Sequence, residues 1–233
     1  MNSLRTMTLT SLTLGLIAFS PLANAQASAR PALPTTLVAS YQMNEAPGST
    51  VLVDASGHGY NGVIGSEVGL SGTYHSFPVV TDEFTRDRHR LDIVDSSALN
   101  PGSGDFSVTL RLRWTVLDGD INVIQKGQGN VAGGRWHIST PKGHIKCVFS
   151  GAQGGSEVDS WGQPTLAGTG WHRVTCARTS AGMSLVIDRK TVEVATKKTG
   201  YIANTTPMSI GGKLNCKCDY WTGDIDWVVV KTG

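Results

Sequence analysis

The sequence predicts an all-β chain folded as two antiparallel sheets packed face to face. Three observations predict it. Phe106–Trp114 alternates strictly, with Phe106, Val108, Leu110, Leu112 and Trp114 on one side and Ser107, Thr109, Arg111 and Arg113 on the other. All of the 28 glycines but Gly15 lie beyond residue 37, where they break the chain every several residues, as a fold of many short strands requires. No segment carries an apolar stripe of helical period.

The elements follow in order. Residues 1–25 read as an export signal: Arg5, the apolar run Leu12–Phe19, and a small-x-small ending at Ala23 and Ala25. The run is too short to span a bilayer, and no later stretch is longer, so no membrane insertion is expected. Residues 26–36 lack periodicity and read as a flexible tail; residues 37–233 are expected to form one domain. Strands are predicted at Phe106–Trp114, Asn122–Lys126, Arg135–Ser139 and His144–Phe149, the last two flanking the turn Pro141-Lys-Gly143. Trp171–Arg178 and Ser184–Asp188 form a second hairpin around Ala181-Gly182. Thr191–Ala195, Pro207–Gly211 and Asp224–Lys231 complete the set, about a dozen strands in all.

Charge and cysteine content narrow the partners. The formal net charge is +2, and signal removal takes away one cation and no acid. A near-neutral chain lacks the basic excess of a general nucleic-acid binder. Four cysteines in an exported chain read as two disulfides. Three connectivities are open. Cys147–Cys176, both in alternating runs that place them on neighbouring strands, and Cys216–Cys218 are the favoured pairing. Thiolate metal ligation is the alternative.

Five segments in order carry a family resemblance. They are Tyr41-Gln-Met-Asn-Glu with Gly48, Asp54-Ala-Ser-Gly57 and Asn61-Gly62; Phe106-Ser-Val-Thr; Trp171-His-Arg-Val-Thr; Ile210-Gly-Gly; and Gly223-Asp-Ile-Asp-Trp-Val. Together they resemble the laminin-G-like, concanavalin-A-like lectin/glucanase jelly rolls across nearly all of residues 37–233. The resemblance implies a jelly-roll sandwich. It leaves function open, because that fold hosts lectins, adhesion modules, glycosidases and lyases. It also implies calcium in some members, with Asp54 as a ligand and Asp224 or Asp226 approaching from the last strand. The competing reading of Asp54 is an Asx-turn. Asp224 and Asp226 share a face, as paired glycosidase carboxylates do, but they lie in the last strand with no third acid following.

The polar rows of the middle strands supply the candidate ligand site. If those strands are sheet neighbours, one face carries Arg111, Arg113, Gln125, Arg135, His137, His144 and Lys146, with no acid. Guanidinium groups suit carboxylate and sulfate, so the expectation is a secreted, extracellular module that binds a polysaccharide or other glycan, acidic ones above all. An ordinary solvated face, with counter-charges from Asp118 and Asp120, is the plainer reading. The enzymatic alternative is a uronate polysaccharide lyase, ahead of a glycoside hydrolase. There Arg111 and Gln125 would neutralise the substrate carboxylate and His137 would take the C5 proton, with Tyr201 or Tyr220 as acid. Trp161, in a polar loop, is a candidate sugar platform. Trp114, Trp171 and Trp227 read as packing, and His172 as structural. Asn204-Thr-Thr206 is a glycosylation sequon.

Overall fold

The computed structural model describes residues 32–80, 88–117, 119, 121–214 and 219–233. The proposed signal and most of the tail, Asp118, Asp120, Cys216 and Cys218 lie outside these residues. Sixteen strands occur among those described. They are β1 (Thr36–Tyr41), β2 (Val51–Leu52), β3 (Gly62–Ile64), β4 (Gly69–Leu70), β5 (His75–Phe77), β6 (Leu91–Ile93), β7 (Phe106–Arg113) and β8 (Asn122–Lys126), then β9 (Arg135–Ser139), β10 (Lys146–Gly151), β11 (Gly154–Asp159), β12 (His172–Thr179), β13 (Gly182–Ile187), β14 (Lys190–Ala195), β15 (Met208–Ile210) and β16 (Gly223–Thr232). The first sheet runs β14-β13-β12-β7-β16-β5-β4, with β1 also on β16; the second runs β11-β10-β9-β8-β15-β6-β3-β2. Every pairing within the sheets is antiparallel.

One expectation about neighbours is overturned here. β7 does not adjoin β8: the chain crosses from one sheet to the other between them. Arg111 and Arg113 therefore belong to the first sheet, and Gln125, Arg135, His137 and Lys146 to the second. The alternation of each strand still holds. Phe106, Val108, Leu110 and Leu112 point inward from β7, and Trp136 and Ile138 point inward from β9; all are buried. Phe106 meets the Trp136 ring at 5.5 Å and the Phe149 ring at 6.2 Å, so the two sheets interlock through aromatics. Burying each such side chain contributes roughly 1.5–3 kcal/mol.

The Cys147–Cys176 disulfide also crosses this core. Its cysteines lie on β10 and β12, in opposite sheets, with Cα atoms 5.9 Å apart. It joins facing strands rather than neighbouring ones. The hairpin turn expected at Pro141–Gly143 is a short 3-10 turn with Lys142 at φ 48°.

Two buried polar groups correct the sequence picture. All five β8 residues are buried, including Lys126, which pairs with Asp95 and donates to the carbonyls of Thr206 (2.7 Å) and Asn204 (3.1 Å). Burial presses the Lys126 ammonium below its ordinary pKa, and Asp95 opposes that. Asn204 of the sequon is 6% exposed, and its Nδ2 donates to Gly134 O at 2.9 Å. The atom that glycosylation would modify is thus committed inside the fold.

The cross-sheet disulfide gives a direct test. Its cysteines are 29 residues apart. The Cys147→Ala/Cys176→Ala double variant is expected to lose about 3–4 kcal/mol on the chain-entropy account, read from urea unfolding. Dithiothreitol should lower the wild-type midpoint by more than that of the variant, which keeps only Cys216 and Cys218.

Candidate functional site

The outer face of the first sheet collects the side chains that can meet a ligand. Register sets its rows. Trp227 on β16 lies opposite Arg111 on β7, and Arg111 opposite Arg173 on β12. The next row is Val229, Thr109 and Thr175, and the Thr109 and Thr175 hydroxyls are 3.0 Å apart. The row beyond starts with Lys231 and Ser107.

A bulge in β16 creates the Trp227 position. The register with β7 shifts between Ile225 and Trp227, and Asp226 is the extra residue. Ile225 and Val228 are buried, while Asp226 and Trp227 between them are both half-buried. Strict alternation would have sent Trp227 into the core. The bulge instead turns two consecutive residues outward. Gly223 begins the strand at φ 155°, where a Cβ would sit 2.5 Å from Arg113 O and 2.7 Å from the Trp221 ring. Only glycine fits that approach.

The face carries acids as well as bases, which corrects the expectation of an acid-free surface. Asp226 pairs with Arg111, and Asp224 accepts from Arg113 Nε at 2.7 Å. Ser76 Oγ donates to the other Asp224 oxygen at 2.6 Å. This carboxylate holds the Arg113 guanidinium above its ordinary pKa. Both guanidinium groups stack on Trp171, Arg111 at 4.8 Å and Arg113 at 4.6 Å from the ring centroid, and Arg113 also covers Tyr74 at 5.1 Å. Arg173 lies 5.7 Å from the Trp227 ring. Among the described residues neither Arg173 nor Lys231 has a carboxylate partner.

A groove of about 590 Å³ runs over these rows. Trp227, Val229 and Lys231 line it from β16, Ser107 and Thr109 from β7, and Arg173 and Thr175 from β12. Ser40 of β1 adds a hydroxyl and Gln42, just after it, an amide, and Leu33, Pro34 and Leu37 form an apolar wall. It thus offers an aromatic ring, cations without a carboxylate partner among the described residues and neutral hydrogen-bonding groups on one surface.

The remaining candidates lie elsewhere. Gln125 and His137 are register neighbours in the second sheet. The packed core separates that sheet's outer face from Arg111, so the three lyase residues do not converge. Gln125 is 3% exposed, accepts from Asn122 Nδ2 at 3.0 Å and donates to Gly127 O at 3.3 Å. Arg135 lines a separate recess with Glu157 and Lys197, and Lys146 sits between Ser139 and Asp159. Acids therefore accompany the bases on this face too. Trp161 is 47% exposed and stacks on His144 at 4.5 Å. Tyr220 stacks on His89. His172 bridges Asp188 (2.8 Å) and the Thr169 hydroxyl (2.7 Å), which also donates to Leu166 O at 2.6 Å. That chain ties a turn to the β13–β14 hairpin, as the structural reading of His172 has it.

Asp54 occupies an Asx-turn. Its carboxylate accepts from Ser40 N (2.9 Å), Ser56 N (3.0 Å), Ser56 Oγ (2.7 Å) and Tyr60 N (3.0 Å). With four protein donors on Asp54 and Arg111 on Asp226, the two do not fit a shared calcium site. No group of three His, Cys, Asp or Glu side chains gathers to hold a metal among the described residues.

Sequence reasoning missed Trp227, Trp171, Tyr74 and Arg173. Arg173 was within reach, since it alternates with buried Val174 in a recognisable strand. Trp227 was not, because its orientation follows from the bulge.

The family model described as the concanavalin A-like lectin/glucanases superfamily matches residues 89–232, more than half of the chain. The chain belongs to that superfamily. No curated protein matches it by sequence. Similar solved structures include the binding domain of Paraclostridial Mosquitocidal Protein 1, with TM-score 0.61 and 13% identity over 84% of this chain and 48% of that one. The botulinum neurotoxin serotype G binding domain has TM-score 0.63 and 12% identity over 85% and 47%. The binding domain of botulinum neurotoxin DC in complex with SialylT has TM-score 0.61 and 17% identity over 84% and 47%. At these identities the likeness is one of fold, and the chain spans about half the length of each structure.

Acidification tests the Asp54 loop. Burial alone would raise the Asp54 pKa, but the hydrogen bonds from Ser40, Ser56 and Tyr60 outweigh it and hold the carboxyl below its ordinary value. A folded-state value below the unfolded one adds stability that is complete above about pH 4 and is lost as pH falls through the lowered value. Asp54→Asn is expected to be less stable at neutral pH and to show a flatter acid dependence, measured by urea unfolding above and below pH ~4.

Proposed function

We propose that this member of the concanavalin A-like lectin/glucanase superfamily is a secreted carbohydrate-binding module for acidic polysaccharides, and that the groove across β1, β16, β7 and β12 is its site. The row of Trp227, Arg111 and Arg173 on the open sheet face carries this reading. A half-buried indole offers an apolar platform for a sugar face. Arg173 beside it and Lys231 at the far row are cations without carboxylate partners among the described residues, placed to meet acidic groups. The hydroxyls of Ser107, Thr109 and Thr175 and the amide of Gln42 suit the sugar hydroxyls between them. The description of similar folds as binding domains supports the same class. The export signal expected in residues 1–25 and the Cys147–Cys176 disulfide support an oxidising, extracellular setting. The residues of the lyase alternative are divided between two sheets, so binding without catalysis is the favoured function.

The test is affinity electrophoresis in gels containing alginate, pectate, hyaluronan or glucuronan, with ultraviolet absorbance followed in parallel. Retardation by at least one polymer is expected, with no unsaturated product. Trp227→Ala and Arg173→Ala are each expected to weaken binding about tenfold or more. Binding is expected to persist in EDTA, because Asp54 and Asp226 are engaged by protein donors. A rise in absorbance would replace the module with a lyase. Unchanged binding by both variants would move the site off this face.

A further inference from the structure

The end of the sandwich beyond β12 holds a second recess, of about 470 Å³, separate from the groove. Arg178, Thr199, Lys198, Tyr201, Ser180 and Gln153 are among its lining. Its size falls within the range of small-ligand sites, roughly 300–1,000 Å³.

Arg178 gives the recess its charge. It is the inward residue near the end of β12, opposite Phe106, and is 5% exposed. Its guanidinium donates to Gly200 O (2.8 Å), Pro101 O (3.1 Å), Gly102 O (3.2 Å) and Gly104 O. All four acceptors are neutral carbonyls. Asp105 receives Ser180 N at 2.8 Å and forms no ion pair with Arg178 among the described residues. Burial presses the Arg178 pKa down and the Asp105 charge acts the other way, yet an arginine keeps its proton in a protein. The floor is therefore a desolvated cation, hydrogen-bonded to carbonyls and without a salt-bridge partner among the described residues, which an incoming anion can supply.

The other walls are those of a sugar site. Lys198 is exposed at the rim and has no carboxylate partner among the described residues. The Thr199 hydroxyl is buried, at 1% residue exposure, and lacks a hydrogen-bond partner. An unmet buried hydroxyl costs free energy that a ligand can recover. Tyr201 is 57% exposed and presents its ring beside these groups. Cation, hydroxyl and exposed ring together match an acidic group carried on a ring-shaped, hydroxylated body.

We infer that this recess binds a single acidic sugar unit, a uronate or a sugar sulfate, independently of the groove. Calorimetric titration of the full mature chain with glucuronic acid, galactose 6-sulfate, glucose and sodium sulfate tests it. Saturable binding of at least one acidic sugar is expected, with none for glucose. Lys198→Ala and Tyr201→Ala, both at exposed positions, should each weaken it about tenfold. The titration is repeated in Trp227→Ala, which removes the groove's contribution, and the isotherm of the recess should remain, which separates this site from the groove. No saturable binding of either acidic sugar would overturn the inference. So would full binding by the Lys198→Ala/Tyr201→Ala variant, or loss of binding in Trp227→Ala. Equal affinity for sodium sulfate would overturn the saccharide assignment and leave a free-anion site.

Discussion

β16 pairs with β7 along one side and with β1 and β5 along the other, and the first sheet depends on those pairings. A ten-residue strand cannot stay in strict register with three partners of different length and position. The mismatch is absorbed at Asp226, where the bulge lets Ile225 and Val228 both keep their core positions. Everything distinctive about the outer face follows from that step. Trp227 is turned outward, and Asp224 and Asp226 are placed against Arg113 and Arg111.

Electrostatic pairing then sorts the basic residues of the face into two kinds. Arg111 and Arg113 are held by carboxylates of the same sheet and by the Trp171 and Tyr74 rings. They are partly exposed, so these pairs contribute little to stability but fix side-chain direction. Among the described residues Arg173 and Lys231 have no carboxylate partner, and Arg173 lies against the Trp227 ring. A surface that looked uniformly basic in sequence therefore has a braced region beside an open one, and the groove lies over the open one.

The core imposes the other boundary. Two interlocked inner faces, Phe106 against Trp136 and Phe149 with a disulfide through the middle, keep the outer faces of the two sheets apart. Residues on β7 and β9 share a polar alternation yet serve separate surfaces. The same close packing forces Lys126 and Arg178 to find carbonyl partners. Arg178 does so at the sandwich end, where the loops leave space above it.

Strand identity was legible wherever a strand was long and faced water on one side, because alternation is a local property of the chain. β7, β9, β12 and β16 were read on that basis, and so was the role of Cys147 and Cys176 as partners. The two- and three-residue strands β2–β6 were not legible, being too short to show a period. By itself, the sequence determined the all-β sandwich, its superfamily and which side of each long strand is apolar. Only the tertiary structure decided which strands are neighbours, where β16 bulges and which cations are left unpaired. Those outcomes depend on pairing between residues more than 100 positions apart, such as Arg111 with Asp226, and no local pattern encodes them.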